Sequence, residues 1–335
     1  MSEDAGAIGA ADRSPVAVVI VTWNAAAWIA DCLRSLLRLT RPPAEIVVVD
    51  NGSTDGTVSM VRDGYPGLAL IECGTNLGFC RANNLGFART VSPFVLVLNP
   101  DARLGPGFLE ALLPAFEDEA VGIAAGKLLR PDGRTIDSAG QMLARSRQPV
   151  DRGYGEPDEG QFDRDGEVFG ACGAAALYRR AMLEEVADPD GEVFDSRFFA
   201  FYEDLDLAWR AHRLGWTAAY RHEAIGVHAR GATASGASVR RRGWALLHRS
   251  PEVRFHVAKN RYLTILRNDT LRAYLRDLPF ILGRDVGLAA LLLVASPGVL
   301  LRLWREREVF RGAVERRRLD SARPKRQTLH GGSPA

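Results

Sequence analysis

Cysteine is scarce in this chain of 335 residues, and the cysteines that occur lie far apart, with no C-x-x-C pair and no zinc-site spacing (Cys32, Cys73, Cys80 and Cys172). We therefore expect reduced thiols and a cytoplasmic protein rather than a disulfide scaffold. A basic-then-apolar leader of the kind that directs secretion is also lacking. Residues 1–14 are instead acidic and rich in alanine and glycine, which predicts a disordered leader.

An excess of charge of one sign is missing as well. The 43 lysines and arginines nearly balance the 41 aspartates and glutamates, and the net charge of +2 argues against a nucleic-acid-binding protein. The balance conceals an asymmetry, because basic residues outnumber acidic ones 21 to 8 between residues 240 and 326 while the remainder is acidic. We expect two surfaces with different partners.

No uncharged apolar run reaches the length of about 20 residues that a bilayer span needs. The most apolar segment, 278–303, is interrupted by Arg284, Asp285 and Pro297, and a cluster of arginines follows it. Two interpretations stay open. The segment either lies at the cytoplasmic face of a membrane, attracted by anionic lipid, or forms a buried helical hairpin that packs on the main domain.

The chain does contain a regular alternation of strand and helix patterns. Four short runs rich in β-branched residues stand at 16–21, 46–49, 68–71 and 94–98, with helical patterns between them. This rhythm predicts an α/β fold with a doubly wound, mostly parallel sheet, whose ligands bind beyond the carboxyl ends of the strands. Thr22, Trp23 and Asn24 follow the first strand instead of G-x-G-x-x-G, which argues against a nicotinamide-dependent dehydrogenase.

The pattern changes after the fourth strand. Periodicity fades over residues 130–166, which predicts a long polar loop of the functional or mobile kind. Order returns with a helix at about 203–214, a strand at 216–221, and one or two helices between 251 and 276.

Acidic side chains follow the predicted strands at three points. Asp50 closes the second strand, Asp101 follows the fourth, and Glu203 and Asp204 begin the late helix. Each has an ordinary explanation, as a turn residue or as an acid that favours the first turn of a helix. Their order along an α/β chain nevertheless favours a shared crevice, where carboxylates hold a divalent cation and a diphosphate.

Several segments occur in an order that points to a known family. They are 18–24 (VVIVTWN), 47–57 (VVVDNGSTDGT), 76–79 (NLGF) with 84–86 (NLG), 98–101 (LNPD) and 198–210 (FFAFYEDLDLAWR). With these segments the chain resembles the inverting glycosyltransferases of family 2, which have the GT-A fold, and especially their rhamnosyltransferase-like branch.

The resemblance implies a role for each matching side chain. The residues that would bind the nucleotide sugar are Thr22, Asn24 and Asp50 around base and ribose, with Asp55 and Arg81 as supporting contacts. Asp101 matches the last carboxylate of the family's D-x-D metal motif and His228 a further metal ligand, so Mg²⁺ or Mn²⁺ is the implied cofactor. Asn99 stands at the first motif position and adds no negative charge. We expect it to contact ribose or metal through its amide oxygen, and the metal to be held weakly.

The resemblance also implies an acceptor side. Asp204 matches the family's general base, which removes the proton of the attacking sugar hydroxyl, and Glu203 is the competing candidate. Segment 170–176 resembles the small-residue segment before the acceptor site, with a packed core strand as the alternative. We interpret 230–242 as a flap over the diphosphate or as a solvated loop. Four aromatic side chains are candidates for stacking on sugars (Phe199, Tyr202, Trp209 and Trp216).

We therefore expect an enzyme that transfers a sugar to a hydroxyl of a glycan or a polyprenyl-diphosphate-linked acceptor. The sugar that we predict is L-rhamnose, with dTDP-rhamnose as its donor. The alternative is a catalytically inactive relative that serves as a binding or scaffold module. The chain divides into a leader (1–14), a GT-A catalytic domain (15–240) with a nucleotide-binding half (15–101) and an acceptor half (102–240), a helical, basic extension (241–326) and a disordered tail (327–335).

Overall fold

The computed structural model describes residues 13–231, 246, 249–321, 323 and 326. The predicted tail, the predicted leader up to residue 12, and the flap from residue 232 onward therefore lie outside the described residues. Ser14, which the sequence assigned to the disordered leader, begins the first strand instead.

Strands and helices alternate in the predicted order through the first half of the described chain. The strands are β1 (Ser14–Thr22), β2 (Pro43–Asp50), β3 (Ala69–Glu72), β4 (Phe94–Leu98), β5 (Ala102–Leu104), β6 (Val121–Leu129), β7 (Ile136–Ser138), β8 (Gln141–Leu143), β9 (Pro149–Asp151), β10 (Gly166–Val168), β11 (Ala175–Arg179) and β12 (Thr217–His228). The α-helices are α1 (Ile29–Leu37), α2 (Thr57–Gly64), α3 (Phe79–Ala88), α4 (Phe108–Leu112), α5 (Arg180–Val186), α6 (Glu203–Leu214), α7 (Pro251–Asn268), α8 (Leu271–Arg276), α9 (Leu278–Ala295), α10 (Pro297–Arg305) and α11 (Glu308–Ser321).

Among the described strands, ten form one central sheet. The order is β10-β12-β6-β11-β4-β1-β2-β3, with β5 paired to β12 and β7 paired to β6. The pairs β1–β2, β1–β4, β2–β3 and β6–β12 are parallel, whereas β11 is antiparallel between β4 and β6. The register aligns Thr22 with Asp50 and Ile20 with Leu98, so the carboxyl ends of β1, β2 and β4 meet at one edge. The segments that follow them share a crevice there.

Alternate residues of β1 pack into two apolar layers on opposite faces of the sheet. Val18 and Ile20 lie in the layer that contains α1 and α4, and Val19 and Val21 lie in the layer that contains α3, α5 and α6. Because both faces are buried, the strand has a continuous apolar sequence instead of an alternating one.

Segment 130–166 is not the loop that its sequence predicts. β7 extends the central sheet, while β8 and β9 pair in a separate two-stranded sheet. The chain turns sharply at Gly140, where φ is 90° and an added Cβ would lie 2.5 Å from Val168. Each of these strands has three residues, too few for an alternating pattern to be recognised in the sequence.

Helix α2 begins at Thr57, after Gly56, whose φ of 91° is left-handed. The Asp55 side chain accepts from the backbone N–H of Thr57 over 3.1 Å. The Ser53 hydroxyl donates to Asp50 instead of capping this helix.

The extension joins the α/β domain through buried ion pairs of α7. The Arg267 side chain has no exposed surface, and carboxylates from four places in the chain lie within 4 Å of it (Asp188, Asp195, Asp206 and Asp320). Ion pairing with these carboxylates holds the guanidinium pKa above its ordinary value despite burial, which lowers it. The extension is therefore fixed to α6 and to the segment between α5 and α6 rather than tethered beside them.

The most apolar segment divides between α9 and α10. In the described part of the chain, α9 is the one helix long and apolar enough to cross a membrane, with a mean hydropathy of 1.9 and 17% of it buried. One such helix is weak support for a membrane span. The buried-hairpin interpretation holds only for a minority of its side chains, such as Leu288 and Leu292, while Val286 and Val294 are exposed.

Candidate active site

The turns after β1 and β2 are bound together through Asp50. Its Oδ1 accepts from the Thr22 hydroxyl at 2.9 Å and the Ser53 hydroxyl at 2.5 Å, and its Oδ2 accepts from the backbone N–H groups of Gly52 and Ser53. Both Thr22 and Asp50 are buried. These bonds occupy both oxygens of the Asp50 carboxylate, and they fix the shape of the strand-end turn against which a ligand would lie.

Asn24 and Asp55 form a second, exposed connection between the same turns. The Asn24 side-chain oxygen accepts from Thr54 N–H at 2.9 Å, and Asn24 adopts a left-handed φ of 51°. Asp55 accepts from Ala26 N–H at 2.9 Å. Although partial burial opposes it, the hydrogen bonds from Thr57 and Ala26 lower the pKa of Asp55, so the carboxylate is ionised.

The turn after β3 joins this group from the other side. The Asn51 side chain donates to Asn76 at 3.0 Å and accepts from Leu77 N–H at 2.8 Å. Gly52 permits this approach, because a Cβ there would lie 2.8 Å from the backbone of Thr75. Arg81 is an exposed residue of α3, the helix that follows this turn. The structure thus brings Thr22, Asn24, Asp50 and Asp55 together, with Arg81 on the adjoining helix.

Asn99 and Asp101 follow β4 at the same edge. The backbone N–H of Asn99 donates to Ala174 O at 2.9 Å, and its side-chain amide makes no hydrogen bond with any described residue. Asp101 is buried, and its Oδ2 accepts from Gly231 N–H at 2.6 Å. Its Oδ1 lies 3.3 Å from Nε2 of His228, the last residue of β12.

His228 connects Asp101 to a second acidic residue that the sequence analysis missed. Its Nδ1 donates to Oδ2 of the fully buried Asp137 at 2.8 Å. Although burial lowers it, hydrogen bonding to Asp101 and Asp137 raises the pKa of His228 to about 9. Arg230 extends the chain of charges, with Nε donating to Asp137 and Nη2 donating to Asp151. Arg230 is therefore an ion-pairing residue of the site, not the start of a flap.

The missed residues come from the segment that looked like a polar loop. Asp137 lies on β7 and Asp151 on β9. The glycines at 133, 140, 153 and 155, all with positive φ, were the available sign that this segment turns tightly.

Asp101 and His228 fit a divalent cation that also binds phosphate oxygens. After Nε2 of His228 loses its proton to solvent, the Asp101 carboxylate and this imidazole nitrogen, 3.3 Å apart, offer two adjacent ligands, and Asp137 holds the other ring nitrogen as carboxylates commonly do in metal sites. No group of three or more His, Cys, Asp or Glu side chains in the described ranges is arranged to hold a metal. A cation here would take further ligands from substrate or water, as Mg²⁺ does with phosphates.

Asp204 and Glu203 begin α6, and their surroundings differ. Asp204 is half-buried, and its Oδ2 accepts from Gln141 Nε2 at 3.0 Å and Gly173 N–H at 3.1 Å. Its Oδ1 accepts from Leu205 N–H at 2.7 Å. Glu203 is buried, and its Oε2 has no hydrogen-bond partner among the described residues.

These surroundings separate the two carboxyl groups chemically. Burial and repulsion by Asp204 raise the pKa of Glu203 well above its ordinary value, which favours the protonated acid. Burial also raises the pKa of Asp204, but the hydrogen bonds from Gly173 and Gln141 oppose the shift. Glu203 therefore favours the form that already carries a proton, whereas Asp204 is the carboxylate more readily available in its ionised form to accept one. Asp204 is also the more exposed of the two.

Segment 170–176 joins the two acidic positions. Ala174 O accepts from Asn99 N–H, and the adjacent Gly173 donates to Asp204. Asp101, two residues after Asn99, thus lies at the same edge of the sheet as Asp204. Only residues from Ala175 onward form a strand, β11, so the packed-strand interpretation holds for the end of the segment alone.

The peptide before Asp204 is strained and is held by the extension. Phe199, Phe201 and Tyr202 all have left-handed φ angles, of 66°, 73° and 70°, which bulky residues rarely adopt. The side-chain amide of Asn260, on α7, donates to the carbonyl oxygens of Phe198, Ala200 and Phe201 at 2.7–2.9 Å. A residue of the extension therefore fixes the backbone that presents Asp204.

Most of the aromatic candidates for sugar stacking are unavailable. Trp216 and Tyr202 are buried, and Trp216 Nε1 donates to Glu185. Phe199 stacks on His256, with ring centroids 4.8 Å apart. Trp209 is partly exposed and packs edge-on against Phe169.

Fold and site together define the class of the protein as a glycosyltransferase with the GT-A fold. The mannosyltransferase PcManGT from Pyrobaculum calidifontis, solved with GDP-Man and Mn²⁺, matches with a TM-score of 0.53 and 20% identity over 92% of this chain and 86% of that one. GalNAc-T7, solved with UDP, GalNAc and Mn²⁺, matches with a TM-score of 0.55 and 13% identity over 75% of this chain and 47% of that one. At these identities the likeness shows the fold alone.

The family follows from the sequence. The profile of glycosyl transferase family 2 matches residues 17–187. The chain is also 33% identical over 237 residues to N-acetylglucosaminyl-diphospho-decaprenol L-rhamnosyltransferase of Mycobacterium tuberculosis, across 63% of this chain and 75% of that protein. This protein belongs to glycosyl transferase family 2.

Proposed function

We propose that this enzyme is an inverting rhamnosyltransferase that moves L-rhamnose from dTDP-rhamnose to a hydroxyl of a lipid-linked sugar. The observation that carries the proposal is the convergence of Asp101 and His228 with Asp204 at one sheet edge, through segment 170–176. The similarity to the mycobacterial rhamnosyltransferase, whose name states a diphospho-decaprenol acceptor, supports the choice of sugar and acceptor.

The donor nucleotide binds, in this proposal, beside the turns that follow β1, β2 and β3. Asp50 keeps Thr22 and the 50–53 turn in place, and Asn24 and Asp55 hold the outer turns together. Arg81 lies where a cation can approach the phosphates. Asn99 follows β4 at the same sheet edge, its side-chain amide makes no hydrogen bond with a described residue, and we assign it to the ribose or the cation.

Asp101 and His228 would hold Mg²⁺ or Mn²⁺, which when bound would supply positive charge that stabilises the leaving diphosphate. Asp137 keeps the His228 ring oriented, and Arg230 balances the charge of Asp137. Asn99 in place of a carboxylate leaves this site with one negative charge fewer than a D-x-D motif would give, so we expect weak, exchangeable metal binding.

Asp204 acts as the general base. It accepts the proton of the acceptor hydroxyl while that oxygen forms a bond to the anomeric carbon and the bond from that carbon to the diphosphate oxygen breaks. Because attack comes from the side opposite the diphosphate, the anomeric configuration inverts. A well-placed base of this kind contributes a factor of about 10²–10⁴ to the rate.

Membrane association belongs to the same proposal. The exposed apolar side chains of α9 and α10 and the arginines beside them suit a peripheral position at the cytoplasmic face of the membrane, where a lipid-linked acceptor is presented. The protein should therefore bind to anionic vesicles, and high salt should weaken this binding because it screens the attraction between the arginines and the lipid.

The test is a panel of nucleotide sugars with Mg²⁺, Mn²⁺ or EDTA, read by thermal stability and by product formation. We expect dTDP-rhamnose with metal to raise stability by about 2.7 kcal/mol at a hundredfold excess over its dissociation constant, and to give product with a lipid-linked N-acetylglucosamine acceptor. Binding without turnover on any acceptor would favour the inactive binding module instead. Preference for another nucleotide sugar would contradict the proposed donor, dTDP-rhamnose, but would still agree with a sugar-transfer reaction.

A further inference from the structure

Two neighbouring cavities lie where the extension meets the β8–β9 hairpin. One, which we call the basic cleft, has a volume of about 310 Å³ and is lined by four arginines and two aspartates among others (Arg145, Arg147, Arg213, Arg276, Asp269 and Asp277). The other, which we call the apolar cavity, has a volume of about 610 Å³ and is lined by side chains of α7, α8, α9, α10 and α11. Asp269 and Thr270 line both, so the two cavities adjoin.

The basic cleft lies close to the residues around Asp204. Leu143 lines the cleft and lies two residues along β8 from Gln141, whose amide contacts Asp204. Trp209 also lines it and lies five residues along α6 from Asp204. At about 3.3 Å per strand residue and 1.5 Å per helix residue, Leu143 is about 7 Å along β8 from Gln141, and Trp209 is about 7 Å along the axis of α6 from Asp204.

The charges of the basic cleft leave it positive. Arg147 is buried and paired with both Asp269 and Asp277, so these carboxylates are already neutralised in part. Arg145 and Arg276 also contact Asp277, at 2.8 and 3.5 Å, and their side chains are 59% and 72% exposed. The cleft remains positive because its four arginines outnumber its two aspartates. Exposed guanidinium groups are well suited to a phosphate group, which accepts two hydrogen bonds from one arginine.

The apolar cavity opens onto an apolar surface. Leu271 and Trp304 line its rim and are 70% and 66% exposed. The exposed apolar residues of α9 continue this surface, and arginines flank it on α10. The acidic groups that border the cavity are paired, Asp269 with Arg147 and Asp285 with Arg261, so they present little free charge to an apolar ligand.

The geometry points to these adjoining cavities as the binding site for the polyprenyl diphosphate part of the acceptor. The diphosphate lies at Arg145 and Arg276, the isoprenoid chain enters the apolar cavity past Leu271, and the acceptor sugar reaches from the cleft to Asp204. This inference rests on the proposed lipid-linked acceptor, and it assigns the isoprenoid chain to the extension and the diphosphate to Arg276 of the extension together with Arg145. The ligand contains, in order, a sugar, a diphosphate and an isoprenoid chain. The protein presents Asp204, the basic cleft and the apolar cavity in the matching order.

The test measures binding of a polyprenyl diphosphate, and separately of the corresponding polyprenol, to the full chain in detergent micelles. Leu271→Asp places a charge at the rim of the apolar cavity and should weaken binding of both lipids at least tenfold. The double variant Arg145→Gln/Arg276→Gln should weaken binding of the polyprenyl diphosphate at least tenfold and leave binding of the polyprenol unchanged. Met60→Asp on α2 and Arg38→Gln/Arg89→Gln, all exposed and distant in sequence, are matched controls and should bind as the unaltered protein does.

The outcomes separate this inference from the proposed function. Equal binding of the diphosphate by the unaltered protein and by both sets of variants, or no binding by any of them, overturns the lipid site. Turnover of dTDP-rhamnose with a short-chain acceptor tests the reaction independently, because that acceptor does not need the apolar cavity. Transfer of rhamnose to the short-chain acceptor by an unaltered protein that binds no polyprenyl diphosphate contradicts the inference alone, and lipid binding without any transfer contradicts the proposed function.

Discussion

The two adjacent acids at the start of α6 have different protonation behaviour because their hydrogen-bond partners differ. Asp204 receives three hydrogen bonds that favour its ionised form, whereas the buried Glu203 Oε2 has no partner in the described part of the chain. Sequence alone left the two as competing bases. The choice of Asp204 depends on Gln141 and Gly173, which approach it from distant segments.

Replacing the base tests this choice. We expect Asp204→Asn to lower kcat for transfer by about 10²–10⁴-fold with little change in donor binding, because the amide keeps the shape of the side chain but cannot accept a proton. Glu203→Gln is the matched control and should keep most of the activity. Steady-state rates with a calorimetric titration of donor measure both effects, and the opposite ranking of the two variants would move the base to Glu203.

The pH dependence of transfer tests the role of Gln141. Burial raises the pKa of Asp204, so activity should be present above that raised pKa and disappear as the pH falls through it, at a higher pH than for an ordinary aspartate near 3.9. Gln141→Leu removes a donor to the carboxylate, so the acid limb of the kcat profile should move to still higher pH. Gln148→Leu on the same hairpin should leave the limb in place, and an unshifted limb in Gln141→Leu would show that another group titrates.

At the scale of elements, the site depends on α7 and on the strained peptide before α6. Three left-handed aromatic residues persist in one peptide only because neighbouring contacts hold them. Asn260 supplies three of these contacts, and it belongs to the extension rather than to the sheet.

Removing that amide should misplace the base. We expect Asn260→Leu to lower kcat at least tenfold while the KM for donor stays within twofold, because the described hydrogen bonds of the Asn260 side chain go to the peptide before Asp204 and not to the donor turns. Thr264→Val removes another buried polar group of the same helix, whose hydroxyl bonds only within α7, and is the control for lost stability. Equal losses of kcat in Asn260→Leu and Thr264→Val would show that Asn260 contributes only to the general stability of the fold.

Helices and strands were predicted well from the sequence where their apolar patterns were long. They were predicted poorly where contacts with distant segments determine the structure. The predicted bounds of β4 and α6 match the structure, since five consecutive apolar residues and a complete amphipathic helix are strong local patterns. The short strands β7, β8 and β9 lack such a pattern, so Asp137, Asp151 and Gln141 were missed. The antiparallel direction of β11 likewise depends on its neighbours β4 and β6, not on its own residues.

At the scale of the whole molecule, a buried cluster of charges unites the extension with the catalytic domain. Arg267 is surrounded by carboxylates from both parts of the chain and cannot be removed without leaving them unpaired in the interior. The cluster explains why 241–326 need not behave as an independent domain.

The stability of the whole chain should therefore depend strongly on this residue. We expect Arg267→Leu to lower the free energy of unfolding by about 3–5 kcal/mol, because removing one partner leaves uncompensated buried charge. Arg318→Leu, an exposed arginine on α11, should change it by no more than about 0.5 kcal/mol. Urea unfolding followed by circular dichroism measures both, and similar small effects would show that the cluster is solvated or replaceable.

The central claim is that Asp204 faces the acceptor from the side opposite the diphosphate held at Asp101 and His228. The anomeric configuration of the product, determined by proton NMR on a reaction with a donor of known configuration, tests it most directly. The geometry predicts a product with the configuration opposite to that of the donor sugar. A product that retains the donor configuration would contradict single displacement by a base-activated hydroxyl.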